Sequence, residues 1–178
     1  MIPVAAVAAF ASGLDPEDVP AETRHEARRG VLDLATLALA GYLTDAGRAG
    51  RRHALGASSE FGARVVGQPG TTSPERAALA NALLVGSAAP ASVAPLTAVL
   101  AVADAFDLSG AEFLHGVVVA QEVGLALEET VENRAWVAGV AAVAGGGAAL
   151  GVPEPVEQLA AALRGREWLQ RFAADLAR

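Results

Sequence analysis

Apolar positions recur along most of this chain at spacings of three and four, the period of a helix face; only residues 63–67 suggest a short extended segment. The longest apolar run, residues 77–103, has no ionisable side chain, although Glu75, Arg76 and Asp104 flank it. Its length would allow a membrane crossing, which takes roughly 20 apolar residues. Pro90 and Pro95, however, each remove a backbone donor, and Asn81, Ser87, Ser92 and Thr97 place hydrogen-bonding groups along it. The run therefore reads as a buried helix, a break and a second helix at the centre of a helical domain.

The remaining pattern supplies the other elements. Residues 3–12 predict a first helix stopped at Gly13, and residues 14–20 a turn rich in Asp and Pro. Residues 19–42 predict a long helix, charged in its first half and crowded with apolar side chains in its second, so its C-terminal half should be buried. Residues 45–59 mix Gly47, Gly50 and Gly56 with Arg48, Arg51, Arg52 and His53, a composition that could end in a short helix but reads first as an exposed connection. A turn at 68–72 follows. Ser73-Pro74-Glu75 combines a capping hydroxyl, a first-turn proline and an acid, and opens a helix to about Gly86. The next helix spans 95–106. Ser109 and Glu112 form a capping box that opens a helix over 110–129, whose nearly continuous apolar character makes it central. Residues 134–150 are a helix-like run interrupted by Gly145, Gly146 and Gly147 and stopped by Gly151 and Pro153; 155–163 and 167–177 are short amphipathic segments. The expected fold class is all-α, a compact helical bundle formed as a single domain over 1–178.

Composition narrows the chemistry. The chain has 178 residues, 53% of them apolar, enough to bury one substantial core. Aromatic residues are few and alanine and glycine many, so helices must approach closely. With no cysteine there is no disulfide, thiolate nucleophile or cysteine metal site. All 13 cations are arginine, which excludes a lysine Schiff base and the P-loop lysine. The net charge is −7, and residues 81–178 hold 11 acids against 5 arginines. Nucleic acid is an improbable partner for so acidic and aromatic-poor a chain. The apolar start lacks a positive n-region, so a cytoplasmic protein without a membrane partner is expected.

Several stretches resemble the MmgE/PrpD family, which includes 2-methylcitrate dehydratase and cis-aconitate decarboxylase. They are Asp33-Leu-Ala-Thr-Leu-Ala-Leu-Ala-Gly41, Ala77-Ala-Leu-Ala-Asn81, Pro95-Leu-Thr-Ala-Val-Leu-Ala-Val-Ala-Asp104 and, most specifically, Ser109-Gly-Ala-Glu-Phe-Leu-His-Gly-Val-Val-Val-Ala-Gln-Glu-Val123. The resemblance covers about residues 18–165 and implies part of the family's all-helical domain. It also shows what is missing. Gly86 stands at the place of a family histidine, Ala89-Pro90 at the place of a His-Pro pair, and no histidine lies near Asn133 to Trp136. Dehydration needs a base for the α-proton and an acid for the leaving hydroxyl, so the parent chemistry is disfavoured.

The candidate catalytic residues are Glu122, Gln121 and Asn133, and the candidate substrate-binding residues are Asn81, Trp136, Ser92 and Thr97. Glu122 and Gln121 fall within the apolar central helix, where a carboxyl must be paired, hydrogen-bonded or neutral and could serve as an acid or base; a purely structural acceptor is the competing reading. Trp136 is more simply a core residue. His115, one turn past Glu112, reads as a partly exposed helix residue, and His25 and His53 as solvated or loop residues. Gly145-Gly-Gly-Ala-Ala-Leu-Gly151 lacks the preceding strand and following lysine of a nucleotide loop, so close helix packing is preferred. No metal and no cofactor are expected. The leading expectation is a small repurposed enzyme that binds an apolar, polyketide-like substrate and promotes cyclisation or rearrangement, in natural-product biosynthesis, by shape and hydrogen bonding. A minimal dehydratase or isomerase-type lyase using Glu122, and a non-catalytic assembly subunit, are the alternatives. The resemblance includes nothing like the family's α+β domain, and an apolar helical surface without that cover predicts a homodimer or higher homo-oligomer.

Overall fold

The computed structural model describes residues 4–55, 62–86, 89–90, 92–128 and 134–151. Seven α-helices fill this span: α1 (Val4–Gly13), α2 (Ala21–Ala40), α3 (Asp45–Leu55), α4 (Pro74–Val85), α5 (Leu96–Ala105), α6 (Gly110–Glu128) and α7 (Arg134–Ala149). The only β-type pairing among the described residues is one isolated bridge between Ala63 and Thr72, closed by both backbone hydrogen bonds. The fold class is all-α. Among the described residues no helix is long and apolar enough to cross a membrane.

The long apolar run resolves into α4, a break and α5. Gly86 ends α4 at φ 84, and Pro95 precedes the first residue of α5. Ser73 gives the α4 backbone no side-chain cap; its hydroxyl serves the Glu75 carboxylate instead and holds it below the usual carboxylate range. Asp104 near the end of α5 fastens the 63–66 segment, accepting from the Arg64 backbone N–H at 2.6 Å and from its guanidinium.

The central helix is α6, which lies between two apolar cores. Val117, Val118 and Ala120 join the core built with α2, α4 and α5, while Val119, Val123 and Leu127 join one built with α1 and α7. Three expectations need correction. Residues 45–55 are a helix, not a connection, because Gly47 and Gly50 lie buried against residues 41 and 84 and against α4, where a side chain would collide. The second half of α2 buries only the stripe containing Leu34 and Ala38, and Leu32 and Leu39 face outward. The glycines 145–147 do not interrupt α7. A Cβ on Gly145 would lie 2.5 Å from the Gly116 carbonyl, and one on Gly116 would lie 2.6 Å from the Gly145 carbonyl, so the pair lets α6 and α7 cross at backbone contact. The segments 155–163 and 167–177 lie outside the described residues.

Candidate functional site

The residues singled out from sequence do not gather around one space. Asn81 in α4 is fully buried and occupied: its Oδ1 accepts from the Val66 N–H at 2.9 Å and its Nδ2 donates to the Arg64 carbonyl at 3.3 Å. It ties the 63–66 segment to α4. Thr97 is buried in the first turn of α5, and its hydroxyl donates to the Ala94 carbonyl at 2.9 Å. Ser92 is half-buried in the turn before that helix. Gln121 packs its amide over Gly30 of α2, where a Cβ would come within 2.1 Å of Nε2.

Glu122 is the main correction. It was expected inside the apolar helix, but it is exposed, with Leu125 and Ala126 also facing outward. Each helical residue turns about 100°, so the neighbour of buried Val123 can point away from the core. Asn133 lies outside the described residues, as does the side chain of Trp136, whose backbone belongs to the first turn of α7. None of the other five, Asn81, Ser92, Thr97, Gln121 and Glu122, lines either of the two cavities described next.

The larger cavity, about 400 Å³, opens where α1, α6 and α7 meet. Its walls are Ala11 and Ser12 of α1, Leu14 and Pro16 beyond it, Ala111, Glu112 and His115 of α6, and residues 147–151 at the end of α7. Sequence builds this place in two steps. The Gly116 and Gly145 contact draws α7 against α6, and small residues at 147–149 leave space one turn beyond it. The capping box then fixes the first turn of α6: the Ser109 N–H donates to Glu112 Oε2 at 2.7 Å, and the Glu112 N–H donates to Ser109 Oγ at 3.3 Å. These bonds to Ser109 hold the Glu112 carboxyl below its usual range, so it is charged at neutral pH.

His115 follows Glu112 by three residues on the same helix face. It is half-buried, and its Nδ1 is buried without a hydrogen-bond partner among the described residues. Burial pulls the imidazole below its ordinary 6.5, against the opposing charge of Asp15. The ring is therefore neutral at pH 7, with one nitrogen to donate and one to accept. The second cavity, about 380 Å³, is lined by Ala54, Leu55, Val65 and residues 68–72, with no ionisable group among the described residues. Among the described residues no three His, Asp or Glu side chains stand close enough to hold a metal ion.

The profile of the MmgE/PrpD N-terminal domain matches residues 5–164, nearly all of the sequence. The chain belongs to the MmgE/PrpD family. No curated protein gives a significant match to it. Within this MmgE/PrpD domain Gly86 is the position at which the resemblance leads one to expect a histidine. Here the backbone adopts φ 84 and ψ 164, a region open essentially to glycine alone.

Sequence reasoning passed over the cavity. The available signal was a histidine between Leu114 and Gly116 on an otherwise apolar helix, three residues after a capping-box acid.

Proposed function

We propose that this MmgE/PrpD chain binds a small, mainly apolar molecule in the α1/α6/α7 cavity and promotes its cyclisation or rearrangement there, with His115 as the one group that moves a proton. The observation that carries this reading is a neutral, half-buried imidazole in the wall of a cavity large enough for a small organic ligand. The chemistry fits one group that exchanges a proton near neutral pH, since Glu112, the other titratable residue of the wall, is held charged by its bonds to Ser109. A dehydration releases water and calls on both an acid and a base, whereas an isomerising step removes a proton at one atom and returns it at another, which one imidazole can do in turn. The apolar wall from Ala11, Leu14 and Pro16 supplies the shape that holds one conformer. The lyase reading on Glu122 loses the burial that motivated it.

Cyclohexanol, a compact apolar ring with one hydroxyl, is a suitable probe. Calorimetry should show saturable binding to the wild type and to Glu122→Gln, and none to Ala111→Trp, which fills the cavity from an exposed helix position. Equal binding by Ala111→Trp would remove the cavity from the account.

A partner-binding subunit is favoured by a different observation. Leu32 and Leu39 of α2 are 67% and 61% exposed, and Leu43 just beyond is 74% exposed. Spacings of seven and four place the three along one side of α2 and its extension. Such a row suits a second copy of the chain, and a homo-oligomer formed through α2 is compatible with a site between α1, α6 and α7.

A further inference from the structure

The exposed row on α2 and its extension reads the same in both directions. Its members, Leu32, Thr36, Leu39 and Leu43, follow at steps of four, three and four, and all are exposed. Thr36 spends its hydroxyl inside the helix, donating to the Leu32 carbonyl at 2.8 Å, so it adds no donor to the row. Asp33 stands about 100° round the helix from Leu32 and so lies off the row. An acid and an arginine close each end, in the same chain order. Three residues before Leu32, Arg29 bonds Glu26 at 3.4 Å. Beyond Leu43, Arg48 bonds Asp45 at 2.7 Å and also donates to the Leu43 carbonyl, which holds this couple at the end of the row although α3 is a separate helix. All four charged side chains are exposed.

Such a surface complements a reversed copy of itself. In an antiparallel pairing the steps of four, three and four set Leu32 against Leu43 and Thr36 against Leu39, and a two-fold axis repeats each contact. The same alignment brings the Glu26 and Arg29 couple of one chain beside the Asp45 and Arg48 couple of the other. Because the acid comes first in each couple, reversal puts Arg29 across from Asp45 and Glu26 across from Arg48. A parallel copy would face acid with acid and arginine with arginine. We propose that a second copy of this chain docks antiparallel on the row, about a two-fold axis near residues 36–39, with two cross-chain ion pairs at each end.

This inference rests on the reading that the row binds a second copy, and charge swaps separate the two. Glu26→Arg with Arg29→Glu reverses one couple, and Asp45→Arg with Arg48→Glu reverses the other; each keeps the net charge and the pairing within its couple. Sedimentation of the full-length protein at low ionic strength measures the dimer. Either swap alone should raise the dissociation constant roughly tenfold or more, and the two together should return it to within about threefold of wild type. Added salt should narrow the gap. The absence of cysteine allows single spin labels as a second measurement. Labels on Ala40→Cys, close to the axis, should lie within about 20 Å of each other, and labels on Glu22→Cys about 45 Å apart. If neither swap matters and the two separations are equal, while Leu32→Glu with Leu39→Glu abolishes the dimer, the antiparallel order is overturned and the role of the row stands. A monomeric wild type, its row left to the chain's own residues 152–178 or to a different protein, overturns both.

Discussion

Replacing Asn81 by alanine should strand the buried Val66 N–H and the Arg64 carbonyl and leave a small void, at a cost of about 2–3 kcal/mol. Chemical denaturation measures this directly. Glu122→Gln should stay within about 0.5 kcal/mol of wild type, since the side chain is exposed. The two residues thus reverse the roles that neighbours along the sequence suggest. An asparagine is equally able to bind a ligand or a loop, and only the fold brings residues 64–66 to it. A glutamate between Gln121 and Val123 looks enclosed in a linear reading, yet it lies on the outward face of α6. His115 differs in being legible only through burial. Its folded-state value lies below the ordinary 6.5, so the unfolded chain takes the proton more readily as pH falls. The stability from its neutral form is present above about pH 6.5 and is lost as pH drops from there through the folded value. The melting temperature should therefore fall less between pH 7 and pH 5 in His115→Phe than in wild type.

At the scale of elements, the crossing of α6 and α7 depends on two glycines. Gly116→Ala or Gly145→Ala places a methyl group against backbone oxygen and should each cost about 1–3 kcal/mol, read as a lower melting temperature. Helix starts were well marked: the capping box opens α6 at the residue it predicts, and Pro74 opens α4. Glycine was the ambiguous letter. Gly86 and Gly151 end helices at positive φ, whereas Gly47, Gly50 and Gly145 lie inside them to admit a neighbouring backbone or side chain. Sequence shows the residue but not the element that approaches it. The Arg64 and Asp104 tie between the 63–66 segment and α5 gives a second measurable property. Its hydrogen bonds to Arg64 hold the Asp104 carboxyl below the ordinary 3.8, so the tie contributes above that value and is lost as pH falls through the lower folded value. Asp104→Asn should be less stable than wild type at pH 7, and the gap should close below about pH 3.8.

For the whole molecule, the exposed leucines of α2 make association the expected state. Light scattering should find a dimer or larger species, and Leu32→Glu with Leu39→Glu should reduce it to a monomer that keeps the wild-type helical spectrum. A wild-type monomer at high concentration would argue against any role for that row. The all-helical class, the family and every helix but α3 among the described residues were legible because they rest on periodicity, caps and motifs within single stretches. The cavity was not, because its walls come from Ala11 at one end and Gly151 at the other, and most of its lining is alanine, glycine and proline, which carry no chemical signature.

An experimental structure of crystals soaked in cyclohexanol tests the central claim most directly. The expected result is a ring bound between α1, α6 and α7 in contact with His115. A ring bound on the outer face of α6 beside Glu122, or an unfilled α1/α6/α7 cavity at saturating probe, would contradict it.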